Sequence, residues 1–127
     1  MSLNPMQFSL NKSNLTALIR AFAQDKVAKS TRKIERHGLH RVFGTFEARD
    51  DTFHVDSGRV KLALKAAVNV PGAFSMRDAV FRELLKTLRD DAGLKVVATP
   101  SGLQINGAAI QFSDLDFRFP PYAATDH

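Results

Sequence analysis

Hydrophobic side chains recur along this chain at two spacings, one typical of helices and one typical of strands. After a short alternating piece from Met6 to Leu10, apolar residues recur at i, i+3, i+4 and i+7 between Leu15 and Phe22. That spacing places a single apolar stripe on a helix. Asn11 or Ser13 can cap this helix, because a side-chain oxygen there accepts from backbone N–H groups that lack a partner. We expect the helix to end near Asp25.

From Arg41 onward the apolar spacing is two, which is the repeat of a half-buried strand. Turn signals at Asp50-Asp51 and at Asp56-Ser57-Gly58 divide this part into three strands. The third, from Val60 to Val70, alternates almost without interruption. Three strands joined by tight turns predict an antiparallel meander with one buried face.

A second helix and a second meander are predicted after Pro71-Gly72. Ser75 and Asp78 resemble a capping box, and Gly93 is well placed to close the helix. Between them lies an apolar stripe made of Val80, Phe81, Leu84, Leu85 and Leu88. Three strands follow near residues 94–98, 103–105 and 108–112, and Asn106-Gly107 is a strong hairpin signal between the last two. A tail with alternating Leu115, Phe117 and Phe119 precedes Pro120-Pro121, which prevents further strand pairing.

These patterns predict an α+β fold with the order β-α-βββ-α-βββ, in which two helices pack on one face of an antiparallel sheet. The 127 residues suit one domain, 1–127, with a loop at about 26–41 and a C-terminal tail at about 120–127. The predicted core consists of Leu15, Ile19, Phe22, Leu62, Leu64, Leu84, Leu88, Ile105 and Ile110.

Charge is concentrated in the predicted loop. The chain has a net charge of +5, and the segment from Lys26 to Arg41 carries that whole excess, with six cations against Glu35 alone. A basic segment favours a polyanionic partner, although a short charged run can also be only solvated. No stretch approaches the roughly 20 apolar residues of a membrane span. No signal-peptide pattern opens the chain, so we expect a cytoplasmic protein.

The order of elements is similar to one domain of the DNA sliding clamp, the beta subunit of bacterial DNA polymerase III. The stretch "DTFHVDSGRVKLALKAAVNVPGAFSMRDAVFRELLKTL" resembles the clamp strand pair and its following helix. The stretch "LKVVATPSGLQINGAAIQFSDLDFRFPP" resembles the next three strands and the ending of a clamp domain. Bacterial clamps carry three such domains in each chain, so a ring of six domains would require six copies of a chain with one domain.

The resemblance implies duplex DNA as the partner, because clamp helices face the DNA and their basic side chains meet phosphates. Such contacts are independent of base sequence and sensitive to salt. Candidate DNA-binding residues lie on the first helix, in the basic loop and along one stripe of the second helix: Lys12, Arg20, Lys29, Arg32, Lys33, Arg82, Lys86 and Arg89. The same cations could instead be ordinary exposed residues, since Glu83 and Asp90 are interspersed with them.

Two further interpretations remain open at this stage. A domain with a clamp fold could bind a peptide or protein partner at a sheet edge or groove in place of DNA, or an unrelated α+β domain could bind RNA through its basic loop. Several copies could also assemble through their sheet edges.

We expect no enzymatic activity and no cofactor, because no phosphate-binding loop or nucleophile signature occurs. We expect no metal site either, because His37 and His40 are too few ligands and Asp50-Asp51 reads as a turn.

Overall fold

The computed structural model describes residues 5–24, 43–57, 60–88, 93–113 and 115–119. They form two helices, α1 (Lys12–Gln24) and α2 (Asp78–Lys86). The strands are β1 (Met6–Leu10), β2 (Phe43–Arg49), β3 (Thr52–Ser57), β4 (Val60–Lys65), β5 (Ala67–Val70), β6 (Gly72–Arg77), β7 (Leu94–Thr99), β8 (Gly102–Ile105), β9 (Ala108–Gln111) and β10 (Phe117–Arg118). The predicted basic loop and the predicted tail lie outside the described residues.

The strands form two five-stranded antiparallel sheets. Sheet A has the order β5-β1-β7-β8-β9, and sheet B has the order β10-β6-β2-β3-β4. β1, which precedes α1, belongs to sheet A together with the three strands that follow α2. β6, which precedes α2, belongs to sheet B together with the three strands that follow α1. β1 pairs with β7, and β6 pairs with β2. Each half of the chain therefore completes the sheet of the other half.

The prediction of one joined sheet is wrong. The strand predicted from Val60 to Val70 is interrupted at Ala66, which is buried, and its two parts enter different sheets. β4 pairs with β3 in sheet B, whereas β5 pairs with β1 in sheet A. No glycine or proline marks the break, and the alternation of apolar residues continues across it. The predicted order also lacked β6 and β10.

The second helix begins later and ends earlier than its sequence suggested. Ser75 lies in β6, where it is opposite Thr45, and not at a helix cap. Arg77 occupies the N-cap position without a side-chain cap hydrogen bond, and the helix ends at Lys86 rather than near Gly93. Phe74 and Met76 point into the core with the period of two that is typical of a strand.

The first helix and the turns at residues 50–51 and 106–107 agree with the predictions. Asn11 caps α1, because its Oδ1 accepts a hydrogen bond of 2.8 Å from the backbone N–H of Asn14. Asp50 and Asp51 both have positive φ values, 53° and 54°, as a tight hairpin turn requires. Asn106 has φ 50° and leads into Gly107, as predicted for the hairpin between β8 and β9.

Phenylalanine rings fill the space between the sheets and the helices. Phe8 of sheet A stacks on Phe53 of sheet B with ring centroids 4.4 Å apart. Phe46 of β2 lies 4.2 Å from Phe81 of α2, which in turn lies 5.2 Å from Phe22 of α1. The inner faces of both sheets and the apolar stripes of both helices thus share one core.

The predicted core residues all face this core but differ in exposure. Leu15, Phe22, Leu84 and Ile105 are buried. The remainder are only half-buried and pack at the margin of the core: Ile19, Leu62, Leu64, Leu88 and Ile110. The apolar spacing identified the correct face of each element. It could not show how near each position lies to the edge of its sheet.

Leu84→Ala should lower the free energy of unfolding by about 2–5 kcal/mol, measured by urea denaturation. Leu84 is buried and borders an apolar void of about 20 Å³ between α2 and the strands β7 and β8. Removing its side chain enlarges this void, and an apolar void does not attract a water molecule.

Lys86→Ala on the same helix is the control for this measurement. The Lys86 side chain is 75% exposed, so its removal should change the free energy of unfolding by less than about 0.5 kcal/mol. If Leu84→Ala also costs less than about 0.5 kcal/mol, the assignment of the α2 stripe to the core is wrong.

Candidate nucleic-acid interface

The outer face of α1 carries two exposed cations. Lys12, Thr16 and Arg20 lie at i, i+4 and i+8, opposite the buried Leu15, Leu18 and Phe22. α1 contains no acidic residue, and neither Lys12 nor Arg20 forms an ion pair with another described residue. Both cations are therefore available to a ligand from solvent.

Small side chains separate the two cations on this face. Ser13, Thr16 and Ala17 lie between Lys12 and Arg20 and line a shallow depression with them. The Thr16 hydroxyl donates to the Lys12 carbonyl oxygen at 2.9 Å, which keeps this side chain against its own helix. A shallow surface with a cation at each end is suited to contact with a polyanionic backbone, because Lys and Arg neutralise phosphate charges. We call the five residues from Lys12 to Arg20 that line the depression the α1 basic face.

Arg82 on α2 is held by contacts within the chain. Its Nε lies 2.7 Å from Asp78 Oδ2, and its Nη1 donates to the Phe22 carbonyl oxygen in the last turn of α1 at 3.2 Å. The guanidinium carbon also lies 5.1 Å from the centre of the Phe22 ring, within range of a cation–π interaction. Only 20% of the Arg82 side chain is exposed. This residue joins the two helices.

Asp78 is in turn fixed by a buried serine. Ser57 at the end of β3 is fully buried, and its hydroxyl donates to Asp78 Oδ1 at 2.6 Å. Space beside Ser57 exists because residue 44 is glycine, where a Cβ would collide with the Ser57 hydroxyl. The hydrogen bonds thus run from β3 through α2 to the end of α1. The spacing of Asp78 and Arg82 at i, i+4 could have indicated their ion pair. Ser57 and the Phe22 carbonyl gave no such signal.

The remaining candidates divide between a partly neutralised lysine and residues outside the described part of the chain. Lys86 is exposed but lies 2.9 Å from Glu83, an exposed ion pair that contributes little to stability and offsets the charge. Lys29, Arg32, Lys33 and Arg89 lie outside the described residues. The stripe predicted through Arg82, Lys86 and Arg89 is therefore described only at its first two positions, and those two are both ion-paired.

The described residues contain no candidate metal site and no candidate membrane span. No cluster of three or more His, Asp or Glu side chains occurs there with the geometry to hold a metal ion. Neither described helix has the length and apolar character needed to cross a membrane. On the outer face of sheet B, hydrogen bonds to Glu47 and then Asp50 raise the pKa of Arg49. That face contains both signs of charge, unlike α1.

Comparison with known proteins gives a likeness of fold. No protein-family model matches the chain, and no curated protein matches it. Among solved structures, the DNA polymerase sliding clamp from Bacillus subtilis superposes with a TM-score of 0.51 at 15% sequence identity. The match covers 86% of this chain and 30% of that one, so this chain spans less than a third of its structural neighbour. The fold is clamp-like, with two helices and two antiparallel sheets.

Arg82→Ala should destabilise the protein by about 1–3 kcal/mol. The reason is that the partly buried carboxylate of Asp78 and the carbonyl oxygen of Phe22 both lose this donor. Lys86→Ala should change stability by less than about 0.5 kcal/mol. Urea denaturation of both variants measures the difference. A double-mutant cycle between Arg82 and Asp78 then isolates their coupling, and a coupling energy indistinguishable from zero would contradict the structural role.

Proposed function

We propose that this chain is a non-catalytic clamp-like domain that binds duplex DNA through phosphate contacts, without reading base sequence. The observation that carries the proposal is the α1 basic face, which has exposed Lys12 and Arg20, only small side chains between them and no acidic residue. A helix with this surface attracts the phosphate backbone, and phosphate contacts carry no information about base sequence.

The two helices make unequal contributions in this proposal. α2 contains Asp78 and Glu83 beside Arg82 and Lys86, so its charges cancel, whereas α1 has only cations. We assign the principal contact to Lys12 and Arg20, and a secondary one to Lys86 and Arg89. The basic segment with Lys29, Arg32 and Lys33 supplies additional positive charge, which increases the association rate with a polyanion.

Assembly of several copies through sheet edges is part of the proposal, since one domain of this size does not enclose a duplex. The structural neighbour is a sliding clamp by its description and is more than three times as long as the part that matches. We propose that the protein acts in the cytoplasm and that it has no catalytic residue.

The second candidate function is a domain that binds a protein partner in place of DNA. The balanced charges of α2 and the fixed guanidinium of Arg82 favour this alternative, because they leave one of the two helices without a free cation in its described part. The two proposals differ in whether reversing the charge of α1 abolishes binding to a polyanion.

Replacing Lys12 and Arg20 together by Glu should weaken binding to every duplex alike. Each lost phosphate contact reduces the slope of log K against log salt by about 0.9, so two contacts reduce it by roughly two. Fluorescence anisotropy with two duplexes of unrelated sequence, at several salt concentrations, measures both effects.

Lys61 and Lys95 provide the matched control. Both are exposed on the outer faces of the sheets, and changing them together to Glu alters the net charge by the same amount. A loss equal to that of the α1 variant would show that binding depends only on net charge. Reversal of Lys29, Arg32 and Lys33, and separately of Arg82, Lys86 and Arg89, tests the other candidates. If the wild-type protein binds no duplex at low salt, the protein-partner alternative replaces the DNA proposal.

A further inference from the structure

A cleft of about 480 Å³ opens where β1 and β4 end and β5 and β7 begin. This volume falls within the range of about 300–1,000 Å³ that is usual for small-molecule sites. Part of the lining is apolar and belongs to the buried residues Leu10, Ala66 and Leu94. The polar part consists of six side chains: Ser9, Asn11, Asn14, Lys65, Lys95 and Asn106. We call this the crossover cleft, because the chain passes from sheet B to sheet A at Ala66.

The described lining of the crossover cleft carries two cations and no acidic residue. Lys65 and Lys95 are exposed, and neither forms an ion pair with another described residue. Asp51 reaches the crossover from the turn between β2 and β3, but it is not part of the lining. Its Oδ1 lies 3.5 Å from the Val68 N–H nitrogen. In the described part of the chain, an anion in the cleft therefore meets positive charge alone.

Hydrogen bonds hold two asparagine amides with their oxygens toward the backbone. Asn11 Oδ1 accepts from the Asn14 N–H, and Asn106 Oδ1 accepts from the Lys95 N–H, both at 2.8 Å. Because a backbone N–H can only donate, the oxygen of each amide has to be the atom that faces it. Each Nδ2 is then left without a partner in the described residues. The groups that the two asparagines and the two lysines keep for a ligand are all hydrogen-bond donors.

Strand register places the two lysines on either side of Ser9. Ser9 pairs with Lys95 of β7 on one side and with Ala67 of β5 on the other. Neighbouring strands are about 4.8 Å apart, so roughly 10 Å separates Ala67 from Lys95. Lys65 comes two residues before Ala67, and its carbonyl accepts from Asn14 Nδ2 at 2.9 Å, which holds the end of β4 against α1. The flexible stems of the lysines let both ammonium groups reach one ligand over Ser9.

We infer that the crossover cleft binds a small organic molecule through its phosphate monoester group. Such a phosphate carries a charge of about −1.5 to −2 at pH 7 and three acceptor oxygens, which match two ammonium groups and two amide donors. A carboxylate has one charge and two oxygens, so it satisfies fewer of these donors. The Ser9 hydroxyl and Asn14 Oδ1 have no hydrogen-bond partner in the described residues and can bond to hydroxyl groups on the organic part of the ligand. This site is separate from α1 and does not depend on DNA binding.

NMR titration of the labelled full chain with glycerol phosphate tests this assignment, with glycerate and glycerol as matched probes at constant ionic strength. Glycerol phosphate should shift the amide signals of Ser9, Asn11, Lys95 and Asn106 in a saturable way. Glycerate should bind at least about fivefold more weakly, because it offers less charge and fewer oxygens to the donors. Glycerol should cause no saturable shift.

Lys65→Gln and Lys95→Gln should each weaken the binding of glycerol phosphate at least about threefold, and the double variant about tenfold or more, because each removes a charge-assisted hydrogen bond. Lys61→Gln is the matched control. It removes the same charge from the same strand as Lys65, but Lys61 does not line the cleft, so it should bind like the wild type. Asp90 and Asp91 lie outside the described residues, and changing both to Asn should not weaken binding, since no carboxylate takes part.

Asn106→Asp tests the amide orientation separately from the lysines. An Asp oxygen still accepts from the Lys95 N–H and keeps the turn, whereas the free Nδ2 is replaced by a carboxylate oxygen that repels an anion. Binding should fall at least about fivefold, with the signals of β8 and β9 otherwise unchanged. Gln104→Glu is the control, because Gln104 is exposed on β8 and adds the same charge outside the cleft. Wild-type affinity in Asn106→Asp would contradict the assigned role of this amide.

Three other results would overturn the inference: no saturable shift at the cleft, equal binding of glycerate and glycerol phosphate, or wild-type affinity in the double lysine variant. The crossover cleft and the α1 basic face share no residue, so Arg20→Glu should bind glycerol phosphate like the wild type. Loss of binding in that variant would place the anion on α1 and reject the cleft. An absence of duplex binding would reject the DNA proposal alone, since glycerol phosphate binding is measured without DNA.

Discussion

Packing around Phe46 is the interaction on which the rest of this structure depends. Its ring lies 5.1 Å from Phe74, 6.4 Å from Phe53 and 4.2 Å from Phe81, so one side chain of β2 contacts β6, β3 and α2. Through Phe53 the cluster reaches Phe8 of sheet A, and through Phe81 it reaches α1. Because β1 and β6 each complete the sheet of the other half, neither half has a finished sheet or core by itself. We therefore expect the two halves to unfold together.

The core cluster also fixes how the helices present their outer surfaces. Phe22 and Phe81 bring α1 and α2 together inside the core, and Arg82 joins them at the margin through Asp78 and the Phe22 carbonyl. A cation used in this way holds the helices in place and is less available to a ligand. α1 has no corresponding ion pair in its described residues, and this difference makes its outer face the better candidate for a phosphate contact.

Helices, caps and turns could be predicted from the sequence better than the pairing of strands could. α1, the Asn11 cap and the turns at residues 50–51 and 106–107 follow from short-range patterns, and the structure contains them all. The division into two sheets was missed because strand pairing is non-local and the chain crosses at Ala66 without a turn residue. β6 was missed because Ser75 and Asp78 resemble a helix start, while tertiary pairing with β2 holds Ser75 in a strand. At the candidate site, the exposure of Lys12 and Arg20 could be predicted from helix periodicity. The burial of Arg82 could not, because Phe22, whose carbonyl and ring it contacts, comes from a separate element.

The central claim is that a clamp-like core presents α1 to a duplex, and NMR titration of the labelled protein with a short DNA duplex tests it most directly. We predict that the largest amide shift changes fall on α1 between Lys12 and Arg20, with smaller changes near Lys86 and few on the outer faces of the sheets. The order of the shifts should be the same for duplexes of different sequence, because phosphates carry no base information. Changes confined to the outer face of either sheet, with α1 unaffected, would contradict the account.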